Sequence, residues 1–170
     1  HHGMYYYPTA VGKMHPELTF DLFGAQVQVC RENKIRPVAY TCVSWNEDWA
    51  KRHPEWLMVN AEGIWGNKKP FDNSYYSWKC ICYNNKDYQE ILKAEMKEVY
   101  DRYHPDGFWI DIVQGKGCVC GTCSQDMKIL GLDPERPEDV RRFDKISETR
   151  FCRTFYKYLK ALDEDLEVYF

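Results

Sequence analysis

The sequence predicts an α/β fold built on a parallel sheet, and within that class a partial (β/α)8 TIM-type barrel, about half of one. Three observations carry this prediction. Helical and strand-like segments alternate strictly along the 170 residues, the pattern of a parallel sheet with crossover helices. No glycine-rich phosphate loop follows any strand, as a doubly wound nucleotide-binding sheet would carry. One carboxylate, Asp111, stands inside an apolar strand, and near the C-terminal end of a barrel strand it would point into the mouth. A complete barrel takes about 250 residues. Residues 1–170 therefore read as a fragment of one barrel domain, roughly half of it, with no internal linker.

The elements follow in order. Residues 16–33 predict a helix, with Pro16 in its first turn and Leu18, Leu22, Phe23, Gln26, Val27 and Cys30 near one face. Residues 35–43 are rich in strand formers, and Pro37 is tolerable only near the beginning of such a strand. Residues 45–84 show no period and are crowded with Trp, Tyr, Asn, Gly and Pro. Connections that long in compact domains are often functional. A helix over 88–103 places Tyr88, Ile91, Leu92, Glu95, Val99, Tyr100 and Tyr103 at helical spacing, with Asn84 or Asn85 as its cap. His104-Pro105-Asp106-Gly107 ends it, and 108–113 predict a short buried strand containing Asp111. A Gly- and Cys-bearing loop over 114–125 leads to a short helical piece and a Pro-rich turn at 133–137. A third helix over 138–162 turns Val140, Phe143, Ser147, Phe151, Thr154, Phe155, Tyr158 and Leu162 inward, and residues 166–170 open a further strand.

Composition narrows the function classes. The chain is 44% hydrophobic and 29% charged, which fits a globular protein and excludes a disordered one. A net charge of −3 offers no basic field for nucleic acid or anionic lipid. No apolar run approaches the roughly 20 residues of a membrane span. No signal peptide is legible, and localisation is left open. Thirteen Tyr, eight Phe and six Trp build a core or line a pocket for a ligand with flat apolar faces, such as a sugar ring.

An acidic residue inside an apolar strand is costly unless paired, hydrogen-bonded or functional. Asp111 is thus either a catalytic carboxylate or a structural one bonded to loop amides. Cys118, Cys120 and Cys123 are close enough to bind zinc, which takes four ligands, with Cys82, Cys80 or a His completing the set. The other readings of this Cys-x-Cys-x-x-Cys loop are three reduced thiols or a single disulfide. His53 and Trp56 either line a pocket or fold the long loop back on itself. Glu47 and Asp48 follow the strand-forming stretch 35–43 and read as mouth or solvated loop charges.

Tyr103-His104-Pro105-Asp106-Gly107-Phe108-Trp109-Ile110-Asp111 resembles the Y-x-P-D-x-x-W-x-D segment of the α-L-fucosidase family, which forms barrel strand four and ends on the catalytic nucleophile. His1-His2-Gly3 resembles that family's His-His-Asp-Gly after strand two, although the Asp is missing here, and the resemblance implies a fragment running from the end of strand two to strand five. The chain as a whole is more similar to a group of uncharacterised barrel hydrolases related to the fucosidases. That likeness rests on Tyr6-Tyr7-Pro8-Thr9, His15-Pro16, His53-Pro54-Glu55-Trp56 and the Cys-rich loop after strand four. His1-His2-Gly3-Met4 also reads as an affinity-tag remnant before an initiator Met, but Tyr-Tyr-Pro-Thr at the related spacing favours a native segment.

The resemblance implies a glycoside hydrolase with Asp111 as nucleophile, acting with retention through a covalent glycosyl-enzyme on a terminal sugar such as α-L-fucose. It implies that His1 and His2 bind sugar hydroxyls. Trp109, Trp45 and Trp56, together with Tyr6 and His53, are the remaining substrate-binding candidates. The general acid/base lies on later strands in that family, beyond Phe170. Catalysis would need no cofactor, and zinc would be structural. The partner is then a carbohydrate, with neither nucleic acid nor membrane involved, and a half-barrel with open edges would self-associate. Two alternatives stand beside this reading: a carbohydrate-binding barrel without hydrolysis, and a zinc-stabilised interaction domain.

Overall fold

A computed structural model describes residues 2–64 and 79–170. In chain order they form α1 (Leu22–Glu32), β1 (Val38–Cys42), α2 (Glu47–Arg52), a 3-10 turn (Pro54–Trp56), β2 (Val59–Asn60) and β3 (Gly63–Ile64). Then come α3 (Lys86–Tyr103), β4 (Gly107–Asp111), α4 (Gly121–Ile129), α5 (Pro137–Leu162) and β5 (Glu167–Tyr169). β2 and β3 make a small antiparallel hairpin. The other three strands form one sheet in the order β1-β4-β5, parallel throughout. The α/β reading and the parallel sheet predicted above both stand.

Register decides what the sheet offers on each side. Ala39 and Thr41 of β1, with Phe108 and Ile110 of β4, are buried. The apolar members of that row share one core with Leu92, Met96, Phe155 and Leu159. Each of the larger side chains, Phe108 and Ile110 among them, contributes roughly 1.5–3 kcal/mol when fully buried. The alternate positions align as Val38–Gly107–Glu167, Tyr40–Trp109–Tyr169 and Cys42–Asp111. Tyr40, Trp109 and Tyr169 are 41%, 53% and 47% exposed, so this second face is aromatic and open. Parallel sheets normally have both faces covered.

The helix predicted from residue 16 begins later, at Leu22, because Asp21 caps it by accepting from Gly24 N at 2.8 Å. Pro16 sits in a turn, and Gln26 is exposed instead of facing inward. α3 and α5 match their predicted spans closely. Asn85 accepts from Tyr88 N at 2.9 Å to start α3, and His104 ends it in a left-handed conformation. Pro137 opens α5, with Glu138 and Asp139 in its first turn, where negative charge complements the helix dipole. The expected strand end before α1 is reduced to Tyr5, bridged to Met14. The stretch read as one long irregular connection holds α2, the 3-10 turn and the hairpin. Its residues 65–78 lie outside the described residues.

Candidate functional site

Asp111 is the last residue of β4, the central strand, and so sits at the sheet's C-terminal edge opposite Cys42. It is half-buried. Two donors fix its carboxylate: the Tyr40 hydroxyl gives a hydrogen bond to Oδ2 at 2.9 Å, and Ile112 N gives one to Oδ1 at 2.8 Å. Its carbonyl accepts from Val43 N at 2.9 Å, which ties the end of β4 to the end of β1. Burial pushes the Tyr40 hydroxyl up, with Cys42 and Asp111 adding to the rise. Tyr40 therefore stays protonated and able to donate.

The chain leaves Asp111 through a strained residue. Ile112 has φ +61°, and for a β-branched side chain that conformation costs on the order of 1–3 kcal/mol. The fully buried Ser44 holds it there, donating from Oγ to the Ile112 carbonyl at 2.7 Å. Past it, α5 pins the loop with two carboxylates. Glu148 accepts from Gly115 N at 3.1 Å, and Asp144 accepts from Gly117 N at 2.9 Å. Gly115 is required by this approach, since a Cβ there would meet Asp144 Oδ1 at 2.2 Å.

Of the predicted sugar-binding residues, the structure brings His2 and Trp45 together at the end of β1. The His2 imidazole packs edge-on against the buried Trp45 indole, with ring centroids 5.5 Å apart. The Lys116 ammonium lies 5.9 Å above the same indole. Burial lowers the pKa of His2 and so favours the neutral imidazole. Gly3, at φ +93°, lets this segment lie against the start of α2, because a Cβ would come within 2.7 Å of Asn46 Oδ1 and Asp48 N. His2-Gly3 is thereby built into the fold. His1 lies outside the described residues.

The other candidates are dispersed. Trp109 stands on the open sheet face between Tyr40 and Tyr169. Tyr6 stacks on His15 at 5.9 Å and lines a small cleft of about 60 Å³ with Tyr5, Tyr40, Thr41 and Glu95. His53 and Trp56 stack at 3.7 Å and lie next to Trp49, with Trp56 buried. This pair closes the long loop on itself. Glu47 accepts from Lys79 N at 2.7 Å, and Asp48 pairs with Arg52.

Four cysteines converge beside the loop. The sulfurs of Cys82, Cys118, Cys120 and Cys123 all lie within 4.8 Å of one another, a group able to bind a metal ion. Cys80, another candidate fourth ligand, is not in this group; its backbone forms an antiparallel bridge with Trp45.

Sequence reasoning missed Tyr40, Ser44 and Ile112. The first two act across strands, and nothing in a single sequence marks a positive φ at an isoleucine.

The profile of a family described as "hypothetical glycosyl hydrolase 6" matches residues 1–112, a span that takes in His1, His2 and Asp111. Among solved structures, the chain is similar to α-L-fucosidase isoenzyme 2 from Paenibacillus thiaminolyticus. The two are 30% identical with a TM-score of 0.85, over 99% of this chain and 25% of that one. This chain thus spans a quarter of the length of that enzyme. A maltogenic α-amylase, AmyB from Thermotoga neapolitana, aligns over 76% of this chain and 29% of its own, at 20% identity and a TM-score of 0.42. No curated protein matches.

Proposed function

We propose that this chain, which belongs to the hypothetical glycosyl hydrolase 6 family, carries the nucleophile of a retaining glycosidase acting on a terminal sugar such as α-L-fucose. The observation that carries the reading is Asp111, a carboxylate at the C-terminal edge of the central parallel strand, oriented by Tyr40 and by the amide of a strained Ile112. Catalytic groups of (β/α)8 barrels sit at that edge. The open face bearing Tyr40, Trp109 and Tyr169 is, in this proposal, the inner wall of such a barrel, and residues 1–170 are part of that single domain.

In the proposed reaction, a carboxylate oxygen of Asp111 attacks the anomeric carbon while a general acid protonates the departing glycosidic oxygen. The resulting glycosyl ester is hydrolysed when the same group, now a base, takes a proton from water. The acid/base would be a carboxyl contributed by a later strand, about 5–5.5 Å from Asp111. His1 and His2 would hydrogen-bond sugar hydroxyls. Trp45, Trp109 and Tyr6 would pack against the ring, with His53 and Trp56 shaping the wall behind. These steps use carboxylates and water alone and call for no cofactor.

The test is turnover of a panel of aryl glycosides by the full-length protein and its Asp111→Asn variant. Several orders of magnitude lost on one glycoside, with a mechanism-based fluoroglycoside labelling Asp111, supports the proposal and names the sugar. Sugar binding without turnover in the parent would replace it with a non-hydrolytic carbohydrate-binding barrel.

A further inference from the structure

We propose that Cys82, Cys118, Cys120 and Cys123 form a tetrathiolate site for a single zinc ion, which clamps the loop after β4 to the chain leading into α3. The fourth ligand is Cys82, which precedes the other three by 36 residues or more in the sequence. All four sulfurs lie within 4.8 Å of one another, and Cys82 and Cys123 are 3.5 Å apart. A zinc ion bound tetrahedrally at about 2.3 Å from each thiolate would set its sulfurs roughly 3.8 Å apart. All four cysteines are free, and a separation of 3.5 Å is far beyond the roughly 2 Å of a disulfide bond. In an iron–sulfur cluster the four thiolates are divided among two or four irons, which spreads the set of sulfurs more widely than this. The spacing fits one ion.

The backbone around the sulfurs is already fixed. Cys82 N donates to Trp56 O at 2.8 Å, Val119 N to Val59 O at 2.6 Å, and Cys118 N to Gly115 O at 3.0 Å. Cys120 occupies the N-cap position of α4 and Cys123 sits in its first turn, where free amides and the helix dipole favour negative sulfur. The buried Asn84 donates from Nδ2 to Cys123 Sγ at 3.4 Å, an outer contact of the kind that orients a metal ligand. Three of the four thiols are buried and Cys120 is half-buried. Without an ion, these weak donors would be left to satisfy one another.

Binding would release the thiol protons to solvent and leave the ion held by four thiolates. The clamp would lie just past Gly115, Lys116 and Gly117, and so would hold the far end of the loop that begins at Ile112. This assignment is independent of the sugar chemistry, because its readout is metal content.

The experiment uses the chain purified under reductant without added metal. One zinc per chain by elemental mass spectrometry is expected. Cobalt added to the reduced, metal-free protein should give the thiolate-to-metal charge transfer and ligand-field bands of a tetrahedral tetrathiolate. Cys82→Ser and Cys120→Ser should lose stoichiometric zinc, Cys80→Ser should keep it, and Asn84→Ala should weaken it about tenfold or more. Should a ligand variant not fold, thiol labelling of the parent decides, with zinc protecting those four cysteines and leaving the rest reactive on denaturation. Reduced thiols with neither zinc nor a cobalt tetrathiolate spectrum would overturn the proposal. So would bound iron, or a disulfide within the set.

Discussion

Tyr40 reaches Asp111 across 71 residues of sequence only because β1 and β4 pair in a register that sets Tyr40 beside Trp109 and Cys42 beside Asp111. Its hydroxyl and the Ile112 amide each orient one carboxylate oxygen. A hydrogen bond to a charged acceptor is worth about 1.5–3 kcal/mol. If Asp111 is the nucleophile, Tyr40→Phe should lower kcat about ten- to a hundredfold with little change in KM. In residues 1–170 alone Tyr40 is 41% exposed, so there the substitution should change stability by no more than about 1 kcal/mol. A Tyr40→Phe enzyme with unaltered kcat would show that the contact does not serve the chemistry. Asp111 itself is legible in the sequence, as a lone charge in an apolar strand, whereas Tyr40 is not, because its role exists only once register is set. Cys82 is legible only as one of several possible partners for the Cys loop, and the structure separates it from Cys80.

At the scale of elements, long helices declare themselves and short ones do not. α3 and α5 repeat apolar side chains over five turns or more, so their spacing alone marks them. α2 has six residues, too few to show a period, and it exists because Asn46 accepts from Trp49 N at 3.1 Å. α1 begins where Asp21 caps it, a local hydrogen bond that outweighs the preference of Pro16 for a first turn. α3 also carries a group with a measurable consequence. Burial pushes the Glu95 carboxyl up to about 7, Tyr5 opposes this by donating a hydrogen bond at 2.9 Å, and Glu98 adds to the rise. In the unfolded chain the group titrates near 4.5. Below that pH it is protonated in both states, and its full contribution to stability is present. As pH climbs through 7 the folded state must ionise a buried carboxyl, and that contribution is lost, by about 3 kcal/mol at most. Glu95→Gln should therefore flatten the decline in stability between pH 5 and pH 8. Urea midpoints of both proteins at the two pH values measure it, and identical declines would show that Glu95 is not the titrating group.

For the molecule as a whole, the decisive feature is a sheet with one finished face. The row of Ala39, Thr41, Phe108 and Ile110 is closed over by the core, while Tyr40, Trp109 and Tyr169 lie open on the other side. Among the described residues, β1 and β5 each have one edge without a neighbouring strand. Open edges beside apolar surface are templates for pairing with another chain. Residues 1–170 alone should therefore associate, with a mass in sedimentation or light scattering that rises with concentration above the 20.3 kDa of one chain. Trp109→Arg, which puts a charge in the middle of the open face, should shift the distribution toward monomer without lowering the melting temperature of the core. In the full-length protein the same substitution should instead destabilise, because the barrel proposed above buries that face. A monodisperse 20.3 kDa chain that melts cooperatively would mean that the aromatic face tolerates water, and the argument for a barrel interior would then rest on the likeness to the fucosidase alone.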